Sequence, residues 1–393
     1  MTPQPHTGPA AAGRTIPGRN ADAWPGQSLA EGAAGIALLH IELAAAGLGD
    51  WGIARGWLER ASAGELSVGG NAGLYFGAPA LELVVRAASP YLPGLAPPLT
   101  RLEAATDQVA RGRLRAAALR RPHQGPPALA EFDLIRGLTG LGAVLLARGA
   151  STPLLGDLLS YLVALTEPVT DHGDRLPGWW AASGPDSRPS AAFPGGHANN
   201  GMAHGIAGPL ALLAVALRAG AVVSGHRDAL ARITAWLGQW PHGAAPYWVK
   251  RAELGARQPA CPAARPSWCY GALGVLRAQQ LAALSIGDDV GCARAADAAR
   301  SVLADPSTLN LTRDASLCHG WAGLAVTAAA IAADAPDPGA FTSLVKALGG
   351  ELSASAGRVG KAGFLEGRAG AALALRALDS PPATNWTRAL LIA

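Results

Sequence analysis

The chain is 393 residues long, 50% apolar and 15% charged, with a formal net charge of +4. Over this length that charge gives no electrostatic case for nucleic-acid binding and leaves at most a mild preference for acidic peptides. Four cysteines are too few for a disulfide framework and, in an intracellular setting, point to metal or catalytic use.

Met1 to Asn20 carry Pro, Gly and two Arg but no apolar core of signal-peptide type. They are expected to form a flexible tail ahead of a single domain, 21–393. From residue 31 a pattern recurs, two glycines three apart followed by an apolar helical stretch. It reads Glu31-Gly32-Ala33-Ala34-Gly35, then Arg136-Gly137-Leu138-Thr139-Gly140, then His204-Gly205-Ile206-Ala207-Gly208. It returns as Tyr270-Gly271-Ala272-Leu273-Gly274, His319-Gly320-Trp321-Ala322-Gly323 and Glu366-Gly367-Arg368-Ala369-Gly370. Phe76-Gly77-Ala78-Pro79-Ala80 is a degenerate copy lacking the second glycine. The first glycines lie 45 to 68 residues apart, room for the helix after the motif and a second helix before the next. Leu154 to Leu165, Arg227 to Leu237 and Ala293 to Leu303 are stretches of the second kind. The best apolar run, Ile206 to Leu217, is closed by Arg218 and falls short of the ~20 residues a membrane span needs.

Helix pairs cannot bury their apolar faces alone and must stack on their neighbours. With no polar capping repeat at either end, closure into a ring is expected: an all-α fold, an α/α toroid of seven hairpins and about fourteen helices. Glycine at the start of each inner helix lets backbones approach closely, so that seven loops crowd one mouth of the ring. For Gly35, Gly140 and Gly370 packing is the whole role.

Equivalent repeats have equivalent slots. The slot two before each first glycine holds Ala30, Tyr75, Ile135, Ala203, Cys269, Cys318 and Leu365, and the next slot holds Glu31, Phe76, Arg136, His204, Tyr270, His319 and Glu366. Both cysteines thus occupy the same slot in consecutive repeats, with His319 beside one of them. Two thiolates and an imidazole are three protein ligands of the kind a catalytic zinc needs, with one position left open. His204 stands one repeat round on the other side, and Asp133, four residues before Gly137, one further. Cys261 and Cys292 lie outside the slots and are read as inert thiols. His6, His40, His123, His226 and His242 are read as packed or surface residues. His172 and His197 fall in a Gly/Pro/Trp-rich segment, Asp171 to Asn200, suited to a lid or substrate wall. A cap is the plainer role for Asp133, and the helix dipole accounts for Glu366.

The motifs resemble those of the lanthipeptide cyclases, the LanC family, over nearly the whole chain. The resemblance rests on Asp133 with Gly137, Asn200 with Ala203-His204-Gly205, Arg265 with Trp268-Cys269-Tyr270-Gly271, Cys318-His319-Gly320 and Gly363-Phe364-Leu365-Glu366-Gly367. It implies a double barrel of seven inner and seven outer helices and one zinc (Zn2+) per chain, held by Cys269, Cys318 and His319. It implies acid–base chemistry for His204 and Asp133, with Arg265 and Tyr270 close to the reacting centre. Members can carry a small inserted domain, for which no segment is evident here.

The implied reaction is addition of cysteine thiols in a dehydrated precursor peptide to dehydroalanine or dehydrobutyrine, giving lanthionine or methyllanthionine thioethers. A separate dehydratase is then an expected partner, and the expected location is cytoplasmic, or peripheral to a membrane-associated biosynthetic complex. Neither nucleic acid nor a transmembrane segment is expected. Two other classes stay open at this point. A toroid hydrolase or terpenoid cyclase needs paired acids, and the mouth offers only Glu31, Asp133 and Glu366. A non-catalytic zinc-binding toroid would hold a peptide without changing it, and a glutathione-adding relative would use an external thiol.

Overall fold

The computed structural model describes residues 24–120, 125–171, 173–240, 246–255 and 265–393. The expected tail, Cys261, His6, His123, His172 and His242 lie outside the described residues. Among the described residues thirteen helices of eleven residues or more alternate between two layers. The inner layer is α1 (Ala33–Ala45), α3 (Ala78–Ala88), α5 (Leu138–Arg148), α7 (Ala207–Arg218), α9 (Ala272–Ile286), α11 (Trp321–Ala333) and α13 (Arg368–Asp379). Between them run the outer helices α2 (Trp51–Ala61), α4 (Ala96–Arg120), α6 (Pro153–Leu165), α8 (His226–Leu237), α10 (Asp289–Ala304) and α12 (Thr342–Ala356).

Burial separates the layers as the sequence does. In α11 nearly every residue from Ala322 to Ala328 is buried, as an inner helix requires. In α10 only Cys292, Ala295, Ala296, Ala299 and Leu303 are buried, one stripe at helical spacing with charged residues opposite. Each inner helix touches the next, and α13 returns to α1, so the ring is closed. Each outer helix packs on the inner helix that precedes it.

The second glycine of the motif has a direct structural cause. A Cβ on Gly274 would stand 2.0 Å from the carbonyl oxygen of Trp268, and one on Gly323 would stand 2.1 Å from that of Leu317. Each inner helix therefore starts against the backbone of its own incoming loop. Gly77 alone among the first glycines has positive φ, +76°, so its loop follows another path and Ala80 fits where the others need glycine.

Among the described residues no seventh long outer helix follows α13. Pro381 and Pro382 stop any helical continuation, and the chain turns inward as a 3₁₀ turn, Trp386–Leu390. Its carbonyls are met from several sides of the ring. The Tyr75 hydroxyl donates to Ala389 at 2.5 Å, Trp268 Nε1 to Leu390 at 2.9 Å and Arg277 Nε to Ile392 at 2.8 Å. This closing segment fills the middle of the ring below the mouth.

Among the described residues four short strands interrupt the helices, β1 (Val169–Asp171), β2 (Asp174–Leu176), β3 (His197–Asn199) and β4 (Trp248–Lys250). β1 and β2 form one antiparallel pair and β3 and β4 another, with Asn199 opposite Trp248. No helix among the described residues is long and apolar enough to cross a membrane.

Candidate metal and acid–base site

The mouth of the ring is laced by backbone hydrogen bonds between equivalent slots. The Ala203 amide donates to Cys269 at 3.0 Å, Cys269 to Cys318 at 3.2 Å, Cys318 to Leu365 at 3.0 Å and Leu365 to Ala30 at 3.0 Å. Residues far apart in sequence are thereby set side by side. The sulfurs of Cys269 and Cys318 and a ring nitrogen of His319 all lie within 4.8 Å of one another. Donor atoms around a tetrahedral zinc stand about 3.5–3.8 Å apart, so only a small contraction would close this group on the ion. The two thiols and the imidazole are also the donor set zinc prefers, and these residues fit the metal.

Neighbours prepare the group. The hydrogen bond from Cys318, opposed by burial and assisted by His319, holds the Cys269 thiol well below its ordinary pKa. The Ser267 hydroxyl lies 3.6 Å from the Cys269 sulfur. His319 Nε2 sits 3.3 Å from Asp314 Oδ2, which leaves Nδ1 for the metal. Asp314 first, then Cys269, push the His319 pKa up to about 10. Both α9 and α11 start just after the ligands, so the positive ends of two helix dipoles lie beside the sulfurs.

His204 and Asp133 meet one and two hairpins away. Asp133 is fully buried, and its Oδ1 accepts the amides of Arg136 at 2.7 Å and Gly137 at 2.8 Å. Its Oδ2 accepts Nδ1 of His204 at 2.6 Å, so the capping role and the pairing coexist. That bond places the proton on Nδ1 and turns the free Nε2 lone pair outward. The ring of Tyr270 lies 6.0 Å from that of His204. Burial, then Cys269, raise the Tyr270 pKa, so its hydroxyl stays protonated. Tyr247, 5.6 Å from Tyr270, donates to the carbonyl of Arg265 at 3.3 Å, and burial pushes its own pKa up to about 12. Arg265 thus stands on the same wall as Tyr270.

The remaining candidates scatter. His197 is buried among Phe193 and Trp248 in the β3–β4 wall, its Nδ1 donating to the Ser183 carbonyl at 2.8 Å, and is not part of the cysteine group. His226 donates to the Leu213 carbonyl at 2.8 Å, His40 stacks on Trp57, and the buried Cys292 thiol donates to Asp334 at 3.3 Å. Asn200 braces the wall, donating to Pro246 at 2.9 Å and accepting Trp236 Nε1 at 2.8 Å. Glu366 pairs with Lys361, while Glu31 lies 3.9 Å from the same ammonium. Sequence reasoning missed Asp314 and Ser267. The slot four before each first glycine could have found the second, since Ser267 fills there the position of Asp133 and caps Gly271 at 3.1 Å.

The structure is thus an α/α toroid with a Cys2His group and a carboxylate-paired histidine at one mouth. Residues 23–391 match the family described as lanthionine synthetase C-like protein, and the chain belongs to that family. Among solved structures it is similar to one described as nisin cyclase, with a TM-score of 0.78 and 21% identity, over 94% of this chain and 92% of that one. No curated protein matches the sequence.

Proposed function

We propose that the protein is a zinc-dependent lanthipeptide cyclase acting on a precursor peptide dehydrated by a separate protein. Residues 21–393 are read as its one catalytic domain. The carrying observation is the convergence of Cys269, Cys318 and His319 within 4.8 Å, one hairpin from the Asp133–His204 pair. Zinc held by the three would supply a Lewis acid that lowers the pKa of a substrate thiol from ~8.5 into the working range.

The chain's own residues carry the proton and the charge. His204 Nε2 takes the proton of the substrate cysteine, and the imidazolium so formed is held by Asp133. The sulfur attacks the β-carbon of a dehydro residue, forming the C–S bond, and the C=C electrons move to the carbonyl as an enolate. Arg265 and the protonated Tyr270 hydroxyl stand on the wall where that oxyanion is best stabilised. Return of the proton from His204 to the α-carbon completes addition of S–H across the double bond, with no change in mass. The aromatic wall of Trp248, Tyr247 and Tyr270 gives the reaction an apolar side that excludes water.

The test is incubation of the purified protein with a synthetic dehydrated peptide. Loss of alkylatable thiol at constant mass is expected, and His204→Ala should abolish it while retaining zinc. Thiols left intact by the zinc-loaded protein would leave a peptide holder rather than a cyclase, and addition only of an external thiol would identify the glutathione-type reaction.

A further inference from the structure

Beside His319 the mouth continues into a cavity of about 360 Å³ that the reaction above does not use. Its charged walls are Arg313, Asp314, Arg358, Lys361 and Glu366, and His319 closes one end. Both acids are already occupied. Asp314 accepts the Ser316 amide at 2.8 Å and lies 3.3 Å from His319 Nε2, while Glu366 pairs with Lys361. Arg313 and Arg358 remain, both lining the cavity, and neither guanidinium has an ion pair or hydrogen bond among the described residues.

We propose that this cavity is a carboxylate-binding subsite, which takes an acidic group of the peptide lying within a few residues of the cysteine being cyclised. The assignment rests on the cyclase reading, because that reading puts the reacting sulfur at His319. Two guanidinium forks facing one space repel each other until an oxyanion lies between them, and their planar donors match a carboxylate bidentately. The volume suits one side chain with a few waters, and His319 as a shared wall fixes the distance from the reacting sulfur. The acid's source is either an Asp or Glu side chain or a chain-terminal carboxylate.

Four synthetic peptides separate these sources, each with one dehydroalanine and one cysteine, the residue after the cysteine being Glu or Gln and the chain ending in acid or amide. Arg313 and Arg358 are exposed and unpaired, so the double variant Arg313→Gln/Arg358→Gln should fold as the native chain does. The native enzyme should show a KM about tenfold lower for the peptide bearing the acid, the effect of a charge-assisted pair. The double variant should lose that preference with kcat unchanged, and Arg313→Lys/Arg358→Lys should restore part of it. Preference that follows the terminal acid rather than Glu assigns the subsite to a chain end. An acid preference identical in the native and double-variant proteins would overturn the proposal, as would inhibition by free acetate with no preference among peptides. Fluorescence anisotropy of labelled peptides reads the same preference without turnover. A failed cyclase reading would leave binding selective with no ring formed, whereas a failed subsite would leave rings formed without selectivity.

Discussion

Asp133 divides its two oxygens between a helix and a histidine, Oδ1 capping α5 through Gly137 at 2.8 Å and Oδ2 holding His204 at 2.6 Å. A carboxamide can reproduce the first contact but not the charge of the second. Asp133→Asn is therefore expected to fold normally and to slow ring closure by about 10²–10⁴-fold, the usual worth of a positioned acid–base group. Asp133→Ala should add a loss of about 1 kcal/mol of stability from the missing cap. Thermal melts beside single-turnover rates separate the two effects. Native rates in the Asn variant would remove His204 from proton transfer.

At the metal group the hidden partner is Asp314. Cys318→Ala should lose the ion outright, since only two protein ligands remain. Asp314→Asn should keep the ion but weaken its hold by about 10–100-fold, because His319 loses the carboxylate that orients it. Competition with a chelator measures both. An unchanged affinity in Asp314→Asn would reduce that residue to a brace for the turn at Ser316.

The repeat glycines divide sharply by surroundings. Gly274→Ala would drive a methyl to 2.0 Å from the Trp268 carbonyl and should cost about 1–3 kcal/mol, displacing the backbone beside Cys269 as well. Gly56→Ala, in the outer helix α2 with no atom within 4 Å of the new carbon, should instead stabilise by about 0.5–1 kcal/mol. Urea titrations of the two variants decide it, and equal destabilisation would contradict the packing account.

What the sequence made legible was what repeats. Seven glycine motifs foretold the inner helices, and the shared slot of Cys269 and Cys318 foretold their contact, because a ring turns equal position in the repeat into adjacency. Asp133 was placed for the same reason. Features made by single, non-repeating contacts stayed hidden. The pairing of His197–Asn199 with Trp248–Lys250 joins segments with no common period. A seventh outer helix was expected after α13, and nothing in the repeat told that the chain would instead turn into the ring after Pro381 and Pro382. Asp314 acts through the reach of one side chain, which no spacing encodes.

Acid should loosen the wall through His197. This side chain is fully buried, its Nε2 has no partner among the described residues, and burial lowers its pKa to about 4 from an ordinary 6.5. The folded form keeps the ring neutral where the unfolded chain protonates it, so stability is complete above pH 6.5 and falls as pH drops toward 4. The slope from this one group reaches about 1.4 kcal/mol per pH unit. His197→Phe should flatten the profile relative to the native chain in urea unfolding at neutral and acid pH. Parallel profiles would show that the ring does not titrate there.

The closing segment Trp386–Ile392 joins stability to the loop that carries Cys269. Trp386, Leu390, Leu391 and Ile392 are at most 2% exposed, and the buried Glu42 clasps the turn before them through the amides of Ala383 and Thr384 at 2.8 Å. Trp268, which donates to the Leu390 carbonyl at 2.9 Å, directly precedes Cys269 in the chain. Leu390→Ala opens a cavity at the middle of the ring and should cost about 2–5 kcal/mol. Trp268→Phe keeps most of the volume but strands that carbonyl, at a cost of about 1–3 kcal/mol, and should loosen the metal because the Cys269 loop loses its anchor. Removal of residues 386–393 should do both, lowering the melting temperature and the zinc content together. A shortened chain that melts and binds zinc like the native one would mean that the segment rests in the ring without supporting it.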